Sequence, residues 1–196
     1  MVDYGYGAAI AALIVALIVW PIVIIVFYVL GSLGLQKIFA KAAVRTPAVA
    51  WIPVYNILIL SKLADLSPWV WLIGIGVDVV LGWIPFIGWI FSLIPLALTI
   101  VTVLRVNQKL GKEPVGFTIF GTLLFPIWAL VVGYGQTQPW RTGDGVLARP
   151  FWHSWGAFFQ DATTWGGVPF QGYPVIGGST PPAAPPAAPP PPPPAA

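Results

Sequence analysis

The chain contains no cysteine, which removes disulfide frameworks, thiol catalysis, iron–sulfur clusters and thiolate metal sites together. Charge is nearly as scarce. Only 8% of the 196 residues are Asp, Glu, Lys or Arg, against roughly 25% in an ordinary soluble domain. With 58% hydrophobic residues and a mean hydropathy of +0.86, the composition argues against a water-soluble enzyme and describes a small polytopic membrane protein. No glycine-rich phosphate loop, carboxylate pair or metal-ligand cluster is present, so no catalytic activity and no nucleic-acid partner are expected. What is abundant is proline, 22 residues, and glycine, 21, too many for one bundle of ideal helices.

The apolar run from Ala8 to Leu30 is free of charge and follows an opening without Lys or Arg, so it reads as a retained span and not as a cleavable signal. At ~1.5 Å per residue it covers about 35 Å, enough to cross a ~30 Å hydrocarbon core with some tilt, with Pro21 as a kink. Beyond Gly31 and Gly34, the residues Lys37, Lys41 and Arg45 recur every fourth position. They predict either a short basic amphipathic helix lying on an anionic leaflet or a connector obeying the positive-inside rule. Residues 48–60 are apolar but too short to span, which predicts an interfacial or re-entrant segment returning to Lys62.

From Trp69 to Leu104 the chain is again apolar, and Arg105, Lys109 and Lys112 follow. Basic flanks on both sides require an even number of crossings, hence a hairpin of two spans with its tip at Pro85-Phe86-Ile87-Gly88. Trp83 and Trp89 would mark the outer interface, Trp69 and Trp71 the inner one. A last candidate, 115–134, is interrupted at Phe125-Pro126. If it crosses, the tail lies outside with the N-terminus; if the proline turns it back, the tail is cytoplasmic. Crossing is the expectation. The resulting architecture is all-α and integral to the membrane. About four spans (8–30, 69–85, 88–104, 115–134) and one interfacial stretch (35–62) make up 1–135. An irregular aromatic-rich extension over 136–180 and a Pro/Ala tail over 181–196 complete it.

Asp78 is the carboxylate placed inside a predicted span, and such a group is a functional candidate by default. Gly74, Asp78 and Gly82 fall on one small-residue face, while Gly88, Ser92, Pro95, Thr99 and Thr102 form a matching seam on the following span. In an antiparallel hairpin Asp78 would sit near Ser92 or Pro95. It serves there either as a hydrogen-bonded packing group, as a proton or cation site, or as a contact to a partner. Ser61-Lys62 lacks the geometry and the outer domain that a serine–lysine protease dyad needs. His153 lies in the aromatic run Phe151-Trp152-His153-Ser154-Trp155. It is either a hydrogen-bonding surface group or a ligand to haem or a related pigment, and no cofactor is otherwise expected. Trp140, Trp152, Trp155 and Trp165 are candidate partner contacts, because aromatic density of this kind calls for a covered surface.

The run Trp51-Ile52-Pro53-Val54-Tyr55-Asn56, then Ser67-Pro68-Trp69, Ile84-Pro85-Phe86-Ile87, Leu110-Gly111-Lys112, and Gly116-Phe117 through Phe125-Pro126 to Gly133-Tyr134-Gly135 resembles an uncharacterised family of bacterial membrane domains. Its members carry an Ile-Pro-Ile/Val-Tyr-Asn segment, here Ile52, Pro53, Tyr55 and Asn56, after a first span. They carry a Gly-Lys…Gly-Phe segment before a last one. The resemblance covers about residues 8–135 and departs from the family in a longer apolar stretch before Lys112. Several members are labelled signal peptidase I, which the missing dyad and outer domain here do not support. The resemblance implies fold and a bacterial inner-membrane location, and no agreed activity. Two functions follow from the residues: a non-enzymatic accessory or scaffold subunit packed against other integral membrane subunits and lipid, or a small transporter or channel component using Asp78.

Overall fold

The computed structural model describes residues 4–85, 88–142, 150–159, 167–168 and 171. Every regular element among them is helical. The α-helices are α1 (Tyr4–Lys41), α2 (Tyr55–Leu63), α3 (Pro68–Leu81), α4 (Gly88–Phe91), α5 (Leu93–Lys109), α6 (Pro114–Leu123) and α7 (Phe125–Tyr134), with 3-10 turns at Pro47–Trp51, Phe151–Trp155 and Ala157–Phe159. Two stretches, Tyr6–Lys41 and Gly88–Lys109, are long and apolar enough to cross a membrane; α3, α6 and α7 are apolar but shorter.

Pro21 lies inside α1, and the helix also continues through Gly31 and Gly34 to Lys41. The separate basic helix expected around Lys37 and Lys41 is therefore the last part of α1. The glycines serve packing here and do not end the helix. A Cβ on Gly34 would fall within the backbone of Ala129 and Leu130, and one on Gly31 would rest 3.6 Å from Pro126. Close backbone approach of this kind is what small residues permit between membrane helices. With Gly31 at Pro126, and Lys41 donating to the carbonyls of Val132 (2.8 Å) and Gly135 (2.9 Å), α1 and α7 run parallel. The N-terminal half of α1 stands apart, its side chains from Tyr6 to Ile25 mostly exposed.

The segment after α1 climbs back along it. Trp51 reaches Gln36 (Nε1 to Oε1, 3.0 Å), and Tyr28 donates its hydroxyl to the Trp51 carbonyl at 2.6 Å. The chain reverses at Val54, whose φ is +64, and α2 descends to Leu63, which touches the end of α5. Next comes an antiparallel hairpin. Trp71 of α3 donates to Thr102 of α5 (3.3 Å), and Gly74 faces Ile94 and Leu98. Trp69, Trp83 and Trp89 are exposed, but Trp71 is buried and belongs to the core, not to an inner aromatic belt.

Of the four expected spans, only α1 and the α4–α5 stretch are long and apolar enough to cross; 69–85 forms the 14-residue α3, and 115–134 is broken in two. Helix α6 runs antiparallel to α5, with Gly121 against Val103 and Asn107 beside Thr118. At Leu124 the backbone leaves helical geometry (φ −130, ψ 53), and Pro126 lacks an N–H to continue the ladder. Helix α7 then returns. Lys112 donates to the carbonyl of Gln136 (2.5 Å), and the Gln138 amide donates to the carbonyl of Leu110 (3.0 Å). Both ends of 115–134 therefore lie at the same end of α5, and two ten-residue helices of ~15 Å each go in and come back. The tail follows them to the end of the fold that carries Lys41, Lys109 and Lys112, which corrects the expectation that it parts from the basic flanks. The largest core cluster, with Phe39, Ile59, Leu63, Val106 and Trp128, sits at this same end.

Candidate functional site

The polar residues of this end converge on Asp65, in the turn between α2 and α3. The turn is built locally: the Leu66 amide donates to the Ser61 carbonyl and the Ser61 hydroxyl to the Leu66 carbonyl, both at 3.1 Å. Asp65 takes a left-handed conformation (φ +61), which Asp and Asn adopt more readily than other side-chain-bearing residues. This projects its carboxylate at the last turns of α5, where Arg105 and Lys109, four residues apart, share a face. Arg105 Nε donates to Oδ2 at 2.7 Å and Lys109 Nζ to Oδ1 at 2.5 Å. The three side chains are at most 4% exposed.

Lys109 also donates to the Leu63 carbonyl (2.7 Å) and to Gln171 Oε1 (2.8 Å), so all three ammonium hydrogens have acceptors. Its charge stands 5.6 Å from the centre of the Trp140 ring, and the Trp140 indole donates to Gln171. The backbone carbonyl of Asp65 is used as well: Trp152 Nε1 donates to it at 3.0 Å, and His153 Nε2 lies 3.2 Å away. A carbonyl only accepts, so Nε2 of His153 is the donor in this contact. A second polar join ties α7 to α5, with Trp128 donating to Asn107 Oδ1 (3.0 Å).

Chemically, this arrangement is a latch. The carboxylate is held between two cations and the ammonium is saturated, so the Asp65 and Lys109 side chains, buried and paired, make a poor general base and a poor nucleophile. The latch instead joins three elements distant in sequence: the α2–α3 turn, α5 and the tail. Among the described residues no group of three His, Cys, Asp or Glu side chains could hold a metal.

The residues singled out in the sequence are distributed differently. His153 is buried and its Nε2 is spent on Asp65, which takes that nitrogen away from a pigment metal. Trp152 is buried and Trp140 half-buried against their own chain, so neither is the free partner contact expected of it, whereas Trp155 is exposed beside Phe151 and Phe158. Trp165 lies outside the described residues, as do the hairpin tip residues Phe86 and Ile87 and the Pro/Ala tail.

Asp78 stays on α3 with its Oδ1 buried and unpartnered among the described residues. The expected seam does not reach it, because Ser92 bonds the Gly88 carbonyl (3.2 Å) and Thr99 the Pro95 carbonyl (2.8 Å) of their own chain. Gly74 admits Leu98, and Gly82 closes α3 beneath Asp78. Lys37 is exposed with its ammonium 5.3 Å from the Tyr134 ring centre, Lys41 caps α7, and the Arg45 amide bonds the Gly167 carbonyl (3.1 Å). Of the three basic residues expected to face lipid, Lys41 is thus turned inward. Ile52 is exposed and Pro53 lines a cleft, Tyr55 packs against the core, and Asn56 is buried with its amide donating to the Ala50 carbonyl (3.1 Å).

Sequence reasoning missed Asp65, Arg105, Lys109 and Asn107. Arg105 and Lys109 were read only as topogenic charge; the available signal was their four-residue spacing together with a lone acid, Asp65, beside Lys62 in an apolar surrounding.

Residues 48–141 match a family described as "Family of unknown function (DUF5684)". The matched region begins after α1 and ends within the tail's first residues, so it contains α2, the α3–α5 hairpin, α6, α7 and Asp65. No curated protein and no solved structure matches the chain.

Proposed function

We propose that the chain is a non-enzymatic accessory or scaffold subunit of a bacterial cytoplasmic-membrane complex, multi-pass, with its N-terminus outside and its tail on the cytoplasmic side. The positive-inside rule supports this orientation, since Lys41, Lys62, Lys109 and Lys112 gather at one end. The crossings are then α1 and the two arms of the α3–α5 hairpin, three instead of four.

The observation that carries the reading is the two-sided segment 150–159. One side is fastened inward: Trp152 and His153 sit on Asp65, and the Phe159 carbonyl accepts from the Ser67 amide at 3.0 Å. The other side presents Phe151, Trp155 and Phe158, exposed by 58, 59 and 51%. Their rings are in edge contact, Phe151 with Trp155 at 5.3 Å and Trp155 through Phe159 to Phe158 at 5.2 and 5.5 Å. A rigid aromatic patch on a latched base suits a partner surface, where aromatic anchors dominate binding. The unaccompanied arm of α1, with Ala8, Ala12 and Ala16 along one face, offers a second contact inside the bilayer.

The test is purification of the tagged chain from its native membrane in mild detergent. A stoichiometric partner is expected, and the triple substitution F151S/W155S/F158S should release it while the body stays folded. A wild-type chain that purifies as a homogeneous homo-oligomer without partners would refute the proposal. Truncation after Tyr134 is a poorer test, because it removes the tail's contacts to the latch together with the patch.

A second reading, a small transporter or channel component, is favoured by one observation, the buried Oδ1 of Asp78 on the α3–α5 hairpin, unpartnered among the described residues. It requires that D78N abolish a proton or cation flux in proteoliposomes.

A further inference from the structure

The tips of the two re-entrant segments meet on α1 and leave a cleft between them. It has a volume of about 330 Å³ and is lined by α1 from Phe27 to Leu35, by Pro53 to Ile57 at the start of α2, and by Phe125 and Pro126 at the start of α7. The motif residues Pro53 and Asn56 and the Phe-Pro break therefore converge on one place although about seventy positions separate them in sequence. The walls are apolar apart from the side chains of Tyr28, Ser32 and Asn56, and two of these hold an unpaired oxygen. Ser32 is 1% exposed and Asn56 7% exposed, and Ser32 Oγ and Asn56 Oδ1 have no hydrogen-bond partner among the described residues.

The orientation of the Asn56 side chain is fixed. The Asn56 amide nitrogen donates to the Ala50 carbonyl, which fixes the amide so that its oxygen is the free end. The Tyr28 hydroxyl, also at the cleft, is committed to Trp51. Buried polar atoms are nearly always paired, so two orphans lining one cavity specify what completes it: an acceptor that needs a donor, and a hydroxyl that can do either.

Among the described residues no charged side chain lines the cleft, which argues against a phosphate or ammonium head. Its side toward the outside is bounded by Phe27 and Val54, exposed by 40 and 46%, on the apolar face of the fold, so a ligand arrives from hydrocarbon. At ~30 Å³ per water-sized group the cavity holds on the order of ten heavy atoms, a small head and the first carbons of a chain whose remainder runs along the exposed arm of α1. From this geometry we propose that the cleft binds a neutral lipid bearing a free hydroxyl, the hydroxyl donating to Asn56 Oδ1 while Ser32 Oγ bonds the neighbouring oxygen. This site is independent of the partner role of the aromatic patch.

The experiment uses the full chain in phosphatidylcholine nanodiscs and a diazirine-bearing monoacylglycerol as the probe. Expected is saturable labelling of peptides from 27–35 and 53–57, competed by monooleoylglycerol but not by its dimethyl ether. S32A should weaken apparent affinity about tenfold, the worth of one hydrogen bond, and I57W, which fills the cavity with bulk, should abolish saturable labelling. N56L is expected to act at least as strongly as S32A, and circular dichroism separates its loss of binding from loss of fold. Competition by the ether as strong as by the parent, unchanged affinity in S32A, or unsaturable labelling spread along Ile10–Ile25 as in bulk lipid would each overturn the proposal.

Discussion

Replacing Asp65 by Asn isolates the charge of the latch from everything else at that position. The side chains are nearly isosteric, and Asn tolerates φ +61 at least as well as Asp, so the turn and the backbone carbonyl that receives Trp152 stay in place. What changes is electrostatic. Lys109 and Arg105, 0 and 4% exposed in their side chains, lose the one carboxylate they share at 2.5 and 2.7 Å. Removing one member of a buried pair costs about 3–5 kcal/mol, because the Lys109 ammonium then keeps only the neutral acceptors of Leu63 and Gln171. At roughly 3 °C per kcal/mol for a chain of this length, D65N should lower the Tm in nanodiscs by about 10–15 °C. The double variant D65N/K109M removes the stranded ammonium with a side chain of similar length and should recover more than half of that loss. A D65N shift below ~3 °C, or a double variant no better than the single one, would refute the assignment of Asp65 as the centre of the latch.

Gly34 to Ala drives a methyl group into the Ala129–Leu130 backbone; overpacking of this kind costs about 1–3 kcal/mol, and a disulfide engineered between positions 31 and 126, which are in contact, should form more slowly in the variant. Glu113 caps α6, its two oxygens accepting from the amides of Val115 (2.8 Å) and Gly116 (2.6 Å), so E113A should destabilise by about 1 kcal/mol in thermal unfolding, an effect that E113D largely restores.

The helical architecture was legible because apolar run length reports it directly. The hairpin of α3 and α5 followed from basic flanks on both sides. What failed was the reading of breaks. Gly31 and Gly34 look like a helix end in sequence, yet their missing side chains let α7 lie against α1 and the helix continues. Phe125-Pro126 looks the same whether a span merely kinks or turns back, and the decision rests on contacts of Lys112 and Gln138 with residues more than twenty positions away. The aromatic tail showed density but no period, so nothing along it separated Trp152, which the core swallows, from Trp155, which stays outside. Asp65 was invisible for a related reason: the charges that bury it lie 40 and 44 residues further on.

The latch, the cleft and the placement of the aromatic patch all depend on one claim, that 115–134 enters and leaves on the same side. The absence of native cysteine makes it directly measurable with single-cysteine variants Y6C, K112C and Q136C in sealed, oriented vesicles and a membrane-impermeant maleimide. The account predicts that K112C and Q136C label from the same face and Y6C from the opposite one. Labelling of K112C and Q136C from opposite faces would contradict it.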